Sequence, residues 1–183
     1  MSVNDPLDEY LELVRFWAPR LDLVAPGDLA RFEERHIDDC LRAVPLVETL
    51  PPGPAIDVGS GAGLPGVVLA VAAPDRMWRL LEPRTLRAAF LEEVVRTLGL
   101  TCEVLRLTAE AAAREPMLAG SHVLATARAL APPVPAFAML APLVRPDGVR
   151  LVFVGENAEI PPDAEEWRPG LAIIRGTDDQ KGR

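Results

Sequence analysis

The sequence predicts an α/β fold: a mostly parallel sheet with helices on both faces, behind a small helical extension. Three observations predict it. From residue 54 onward, short apolar runs alternate with amphipathic segments. A cluster of glycines falls where the first of those runs gives way to the first amphipathic segment. Ahead of them lie two apolar stripes at helical spacing, closed off by Pro51-Pro52-Gly53-Pro54.

The first stripe is Leu7, Tyr10, Leu11, Val14 and Trp17, opened at Asn4-Asp5-Pro6 with Asp5 as cap, and Pro19 is expected to end it. The second begins near Asp28, places Leu29, Phe32, Ile37, Leu41 and Val44 on one face, and is expected to stop at Pro45. After the proline joint, strands are expected at 55–58, 77–81, 102–107, 122–126 and 149–154. Helices are expected between them at 65–73, 84–98 (closed by Gly99), 109–114 and 134–143. Residues 171–175 suit a sixth strand. Strands separated by helices imply right-handed crossovers, hence parallel pairing. Residues 1–53 are expected as an extension packed on a main domain of 54–183, in one compact unit.

Composition narrows the function. With 49% hydrophobic and 25% charged residues, the 183-residue chain can bury a core. No apolar run approaches the ~18 residues of a membrane helix, and the acidic start does not read as a signal peptide. A cytoplasmic monomer with no membrane role is the expectation. Two cysteines and two histidines, widely spread, suggest neither a disulfide framework nor a metal site. The net charge of −8 sits in the flanks. Residues 1–53 carry 11 acids and 5 bases, and residues 156–183 carry 7 and 4. The segment 54–155 carries 9 acids and 10 bases, so an RNA partner is weakened by charge without being excluded.

The sharpest motif is Asp57-Val58-Gly59-Ser60-Gly61-Ala62-Gly63-Leu64-Pro65-Gly66, a strand–turn–helix junction suited to a nucleotide-like cofactor. It fits two ligand classes: a dinucleotide through G-x-G-x-x-G, or S-adenosylmethionine through Gly59-x-Gly61-x-Gly63 after an acid. The acid favours the second, because a carboxylate repels pyrophosphate and attracts an ammonium or sulfonium. Glu82 ends the second strand, where a carboxylate accepts hydrogen bonds from ribose hydroxyls in either class. Ala109-Glu110 follows the third strand, where an adenine edge would lie; an ordinary acid in a first helical turn explains Glu110 as well. His36 shares a face with Phe32 and Cys40 and fits a buried, satisfied histidine equally.

Taken in order, these segments resemble the bacterial 16S ribosomal RNA guanine-N7 methyltransferases, the RsmG or GidB family. The resemblance rests on Arg35-His36-Ile37-Asp38-Asp39-Cys40, on the glycine loop with its Pro-Gly, on Leu80-Leu81-Glu82 with Arg87 and Phe90-Leu91, and on Thr126-Ala127-Arg128-Ala129-Leu130-Ala131. It runs from about residue 5 to residue 155. It implies a Rossmann-like class I methyltransferase fold, S-adenosylmethionine as cofactor, and 16S RNA or the small ribosomal subunit as partner. It implies cofactor contacts at Asp57, Gly59, Ser60, Gly61, Gly63, Leu64, Glu82, Ala109, Glu110 and Arg128, with Arg128, His36 and Arg35 at the reacting end. Guanine N7 has a free lone pair, so the chemistry needs positioning and no general base.

The chain departs from the family pattern at Asp22-Leu23-Val24, at Leu86, and at Phe153-Val154-Gly155, losing polar or basic side chains at each. The tail is expected to be too short for the usual pair of closing strands. The RNA surface is expected at Arg76, Arg79, Arg84 and Arg87, joined by Arg128, Arg145 and Arg150. Three other readings stay open: a methyltransferase of the same ancestry with a small-molecule or other target, a non-catalytic cofactor-binding relative and, more distantly, a dehydrogenase.

Overall fold

The computed structural model describes residues 5–25, 27–155 and 158–176. Asn4 of the expected helix start and Lys181 lie outside these residues. Helix α1 (Pro6–Leu21) is capped by Asp5, whose carboxylate accepts from the Leu7 N–H at 2.9 Å. Pro19 does not end it. A proline near a C-terminus forfeits one backbone hydrogen bond, and the helix runs on until Asp22 turns left-handed at φ 49°.

The second stripe is not one helix. It breaks into a 3₁₀ turn (Leu29–Arg31), a π-helical turn (Glu33–Ile37) and α2 (Asp38–Leu41). Pro45 opens a further helix, α3 (Val44–Thr49), instead of bounding one; proline suits the first helical turn, whose N–H groups lack partners anyway.

The sheet has seven strands. Five are parallel: β1 (Ala55–Val58), β2 (Trp78–Leu81), β3 (Cys102–Leu105), β4 (His122–Arg128) and β5 (Val144–Phe153). They are joined by α4 (Gly66–Ala72), α5 (Thr85–Leu98), α6 (Ala109–Ala112) and α7 (Pro133–Leu140). The closing pair β6 (Glu165–Arg168) and β7 (Leu171–Arg175) is present, contrary to the expectation of a tail too short for it. Strand β7 lies antiparallel between β5 and β6, giving the order β3-β2-β1-β4-β5-β7-β6. A β6 rich in charge was invisible as a strand because it is an edge strand, held by backbone pairing rather than by an apolar face.

Strand alternation sorts the core. Ala55, Trp78, Leu80, Leu124, Leu151 and Ile173 face α1, α3, α4 and α5; Ile56, Leu81, Ala125, Ala127, Val152 and Ile174 face α6 and α7. Tyr10, Leu11 and Val14 of the extension share one cluster with Val67, Leu80, Phe90 and Val94. Strand order reverses between β1 and β4, and their carboxyl ends are where open α/β sheets of this kind take their ligands. The cavity of about 620 Å³ lined by Leu50, Gly53, Pro74 and Arg76 lies at the opposite, amino end of the sheet.

Candidate active site

The loop after β1 is tied down by its own backbone. The Gly59 and Ser60 N–H groups donate to the Leu81 carbonyl at 2.8 and 3.0 Å, and those of Gly63 and Leu64 donate to Ser60 O at 2.6 and 3.1 Å. Gly63 sits at φ 103°, where a Cβ would meet Val67 Cγ2 at 2.7 Å. Tyr10, fully buried, donates its hydroxyl to the Ala62 carbonyl at 2.7 Å, so α1 pins the loop from above. Nothing in the sequence pairs residue 10 with residue 62; Tyr10 reads there only as part of a stripe.

Two buried carboxylates flank this loop. Glu82 accepts from the Gly61 N–H at 3.0 Å and from the Arg84 N–H at 2.9 Å. Asp57 is fully buried and accepts from the Gly66 N–H at 3.2 Å and the Thr126 hydroxyl at 2.9 Å. Ser60 donates its hydroxyl to the Asp57 carbonyl at 3.1 Å. Asp57 thus holds the loop from beneath, and its influence on a ligand passes through that loop. The N–H groups of Gly59, Ser60, Gly61, Gly63, Leu64, Gly66 and Val67 all have acceptors inside the protein. At the helix start, the N–H groups of Gly66 and Val67 are thus already taken.

Burial pushes the Asp57 carboxyl up to about 6, against an ordinary 3.8, despite the hydrogen bonds it accepts. Between those values the native state holds a proton that the unfolded chain has released. Asp57 thus makes stability fall as pH rises through that window. Compared with Asp57→Asn, the wild-type unfolding free energy should lose ground from about pH 4 to about pH 6. Parallel curves for the two proteins would show that Asp57 does not titrate there.

Beyond the crevice, β4 ends in Arg128. Its Nε donates to Asp39 Oδ2 at 3.3 Å and its Nη2 to His36 Nδ1 at 2.7 Å. A guanidinium only donates, so Nδ1 is the accepting nitrogen and the imidazole proton sits on Nε2, 3.8 Å from Asp28 Oδ2. Burial, reinforced by the Arg128 charge, holds the His36 pKa below its ordinary value. His36 is therefore neutral, with its lone pair committed to Arg128. Arg35 pairs with Asp28. Ala129 follows in a left-handed conformation at φ 52°, and a Cβ on Gly59 would meet Leu130 Cδ1 at 2.7 Å, so this segment leans directly on the glycine loop.

The remaining expected residues divide. Ala109 is buried at the start of α6, after the carboxyl end of β3, with Thr108 as its cap; Glu110 is exposed. Arg87 reaches across the loop to donate to the Asp22 carbonyl at 2.6 Å. The seven arginines do not form one surface. Arg76 donates to the Leu50, Pro51 and Gly53 carbonyls, Arg79 is held by Glu103 and His122, and Arg145 pairs with Asp147. All three lie toward the amino end of the sheet, Arg150 lies within β5 opposite Ala125 and Ile174, and Arg84, Arg87 and Arg128 stand at or after carboxyl ends. Spacing along the sequence could not separate the two ends. Burial pushes the Cys102 thiol up to about 12 and raises Cys40 as well, leaving neither as a nucleophile.

Comparison with known proteins agrees with this fold. The family model that matches, GidB: rRNA small subunit methyltransferase G, spans residues 3–168. The chain is 40% identical over 168 residues to ribosomal RNA small subunit methyltransferase G of Acidiphilium cryptum, covering 88% of this chain and 74% of that protein. It is 33% identical over 184 residues to the Gluconobacter oxydans protein of the same name, covering 99% and 91%. Among solved structures, a Corynebacterium glutamicum protein superposes with TM-score 0.63 at 15% identity, over 94% of this chain and 92% of the other. A mutant of MtNAS in complex with S-adenosylmethionine gives 0.61 at 14% identity, over 94% and 75%. Both share the fold. The chain therefore belongs to the GidB family, rRNA small subunit methyltransferase G.

Proposed function

We propose that this protein transfers a methyl group from S-adenosylmethionine to N7 of a guanine in 16S ribosomal RNA. One observation carries the cofactor class: most N–H groups of the loop already have acceptors inside the protein, while two buried carboxylates flank it. Such a site suits a ligand that brings positive charge, and offers little to a pyrophosphate. The names of the Acidiphilium and Gluconobacter relatives support ribosomal RNA as the substrate.

The residues fit that cofactor. Glu82 keeps unused lone pairs on both oxygens for the ribose hydroxyls. A Cβ on Gly61 would meet nothing nearer than 3.7 Å, so the backbone there leaves room for close approach. Gly59, Ser60, Gly63 and Leu64 shape the loop, Asp57 holds it, and Ala109-Glu110 lie where the adenine is expected. S-adenosylmethionine, once bound, supplies an electrophilic methyl group. The protein needs to remove no proton, since N7 attacks with its own lone pair. Neutral His36, whose lone pair is already used, suits a site without a base. Arg128 retains N–H donors beyond those given to Asp39 and His36, fitting a phosphate or the guanine O6. Residues 1–53 and 54–183 act as one unit in this reading, because one wall of the site comes from each. A monomer in the cytoplasm then suffices.

The test incubates the protein with labelled S-adenosylmethionine and small ribosomal subunits or naked 16S RNA, then analyses the nucleosides. Label in 7-methylguanosine is expected. Cofactor binding with label in another nucleoside, or in none, would overturn the reading.

A further inference from the structure

We infer that Asp39 is a positioning residue for methyl transfer, holding the Arg128 guanidinium together with His36 at the mouth of the crevice. The inference rests on the methyltransferase reading above. Arg128 takes two of its five N–H donors to these side chains, and both come from the broken helix of the extension, 89 and 92 positions away in sequence. The two contacts meet different nitrogens of one planar group, which fixes its rotation as well as its place. Three donors are then left in a set direction, without partners among the described residues.

Asp39 is itself held. Its Oδ1 accepts from Arg42 Nη1 at 2.8 Å, while Arg42 also reaches the Pro169 carbonyl in the turn between β6 and β7. The Arg168 side chain returns a hydrogen bond to the Arg42 carbonyl at 3.3 Å. On the other side, Asp28 stands between His36 Nε2 and Arg35. Asp39 thus sits between two arginines, one facing the crevice and one facing the closing hairpin. The π-helical turn matters here: it lies just before α2, so His36 and Asp39 come from consecutive turns of different pitch and both reach Arg128.

The arrangement also answers a charge problem. Methylation at N7 makes the base cationic, and a bare guanidinium nearby would oppose that. Pairing with Asp39, which Arg128 shares with Arg42, offsets part of the positive charge that Arg128 would otherwise set beside the target.

The experiment compares wild type with Asp39→Asn and Asp39→Glu in three measurements: steady-state methylation of small ribosomal subunits, calorimetric binding of S-adenosylmethionine, and ¹⁵N NMR of His36. Asp39→Asn should lower kcat about 10- to 100-fold through misplacement of Arg128, with cofactor Kd weakened far less than kcat falls. Asp39→Glu should recover part of the loss. The groups facing His36 are Asp28, Arg35 on its own turn, Asp39 from α2 and Arg128 from β4. Removing the Asp39 charge should therefore lower the His36 pKa, and Arg128→Gln should raise it. Wild-type kcat in Asp39→Asn, or a parallel fall in cofactor binding and melting temperature, would overturn the inference while leaving the methyltransferase reading intact. A wild-type protein that makes no 7-methylguanosine would overturn that reading, and this inference with it.

Discussion

Glu82→Ala is expected to weaken S-adenosylmethionine binding by about 100-fold or more, since two charge-assisted hydrogen bonds of roughly 1.5–3 kcal/mol each are lost. The carboxylate serves two parties. It accepts from the Gly61 and Arg84 N–H groups, fixing the loop against the end of β2, and each oxygen keeps a lone pair for the ribose. Glu82→Gln keeps the shape but loses the charge and half of the acceptor capacity, so a loss of about tenfold is expected. Calorimetric titration of both variants measures this, with circular dichroism to confirm folding. An unchanged Kd in folded Glu82→Ala would remove Glu82 from the cofactor site and with it the ribose-binding argument.

Gly63→Ala is expected to lower stability by about 2–4 kcal/mol, combining left-handed backbone strain with overpacking. At φ 103° the new Cβ would stand 2.7 Å from Val67 Cγ2 and 3.1 Å from the Tyr10 hydroxyl. Neither neighbour yields easily. Val67 is locked in the first turn of α4, and Tyr10 gives its hydrogen bond to Ala62 in the same loop. For a chain of this size each kcal/mol moves the melting temperature by about 2–4 °C, so a fall of roughly 5–15 °C is expected in a thermal scan. Gly99→Ala makes the contrast. Gly99 closes α5 at φ 63° with open space around it, so only the backbone term applies there. Equal melting temperatures for the two variants would mean that the loop has room the structure does not show.

The parts of the molecule written locally were readable in the residues. Strand β1 was placed to the residue because Ala55–Val58 is a short apolar run between a proline joint and a glycine turn. Helix α5 was placed within one residue because Gly99 is a left-handed stop. That Glu82 stands beside the glycine loop was legible too, because the turn belongs to a dozen consecutive residues and Glu82 follows it at a fixed offset. Prolines are ambiguous for the same reason in reverse: Pro19 lies within the last turns of α1 and Pro45 in the first turn of α3, where either also suits a helix end, and only packing chooses.

Residue types and their periodicity, acting over one or two turns of chain, determine the order of strands and helices, the glycine turn and the caps. Long-range closure decides the rest. The strand order β3-β2-β1-β4-β5-β7-β6 brings the carboxyl ends of β1 and β4 together, and that alone puts the glycine loop beside Arg128 and its neighbours. Tyr10 finds Ala62, and Arg128 finds His36 and Asp39, only after the helices dock on the sheet. Those contacts leave no local periodic trace, because a hydrogen bond across 50 to 90 residues depends on the register of every element between its partners. The same holds for Glu165–Arg168, whose strand state is imposed by the backbone of β7 rather than by its own side chains.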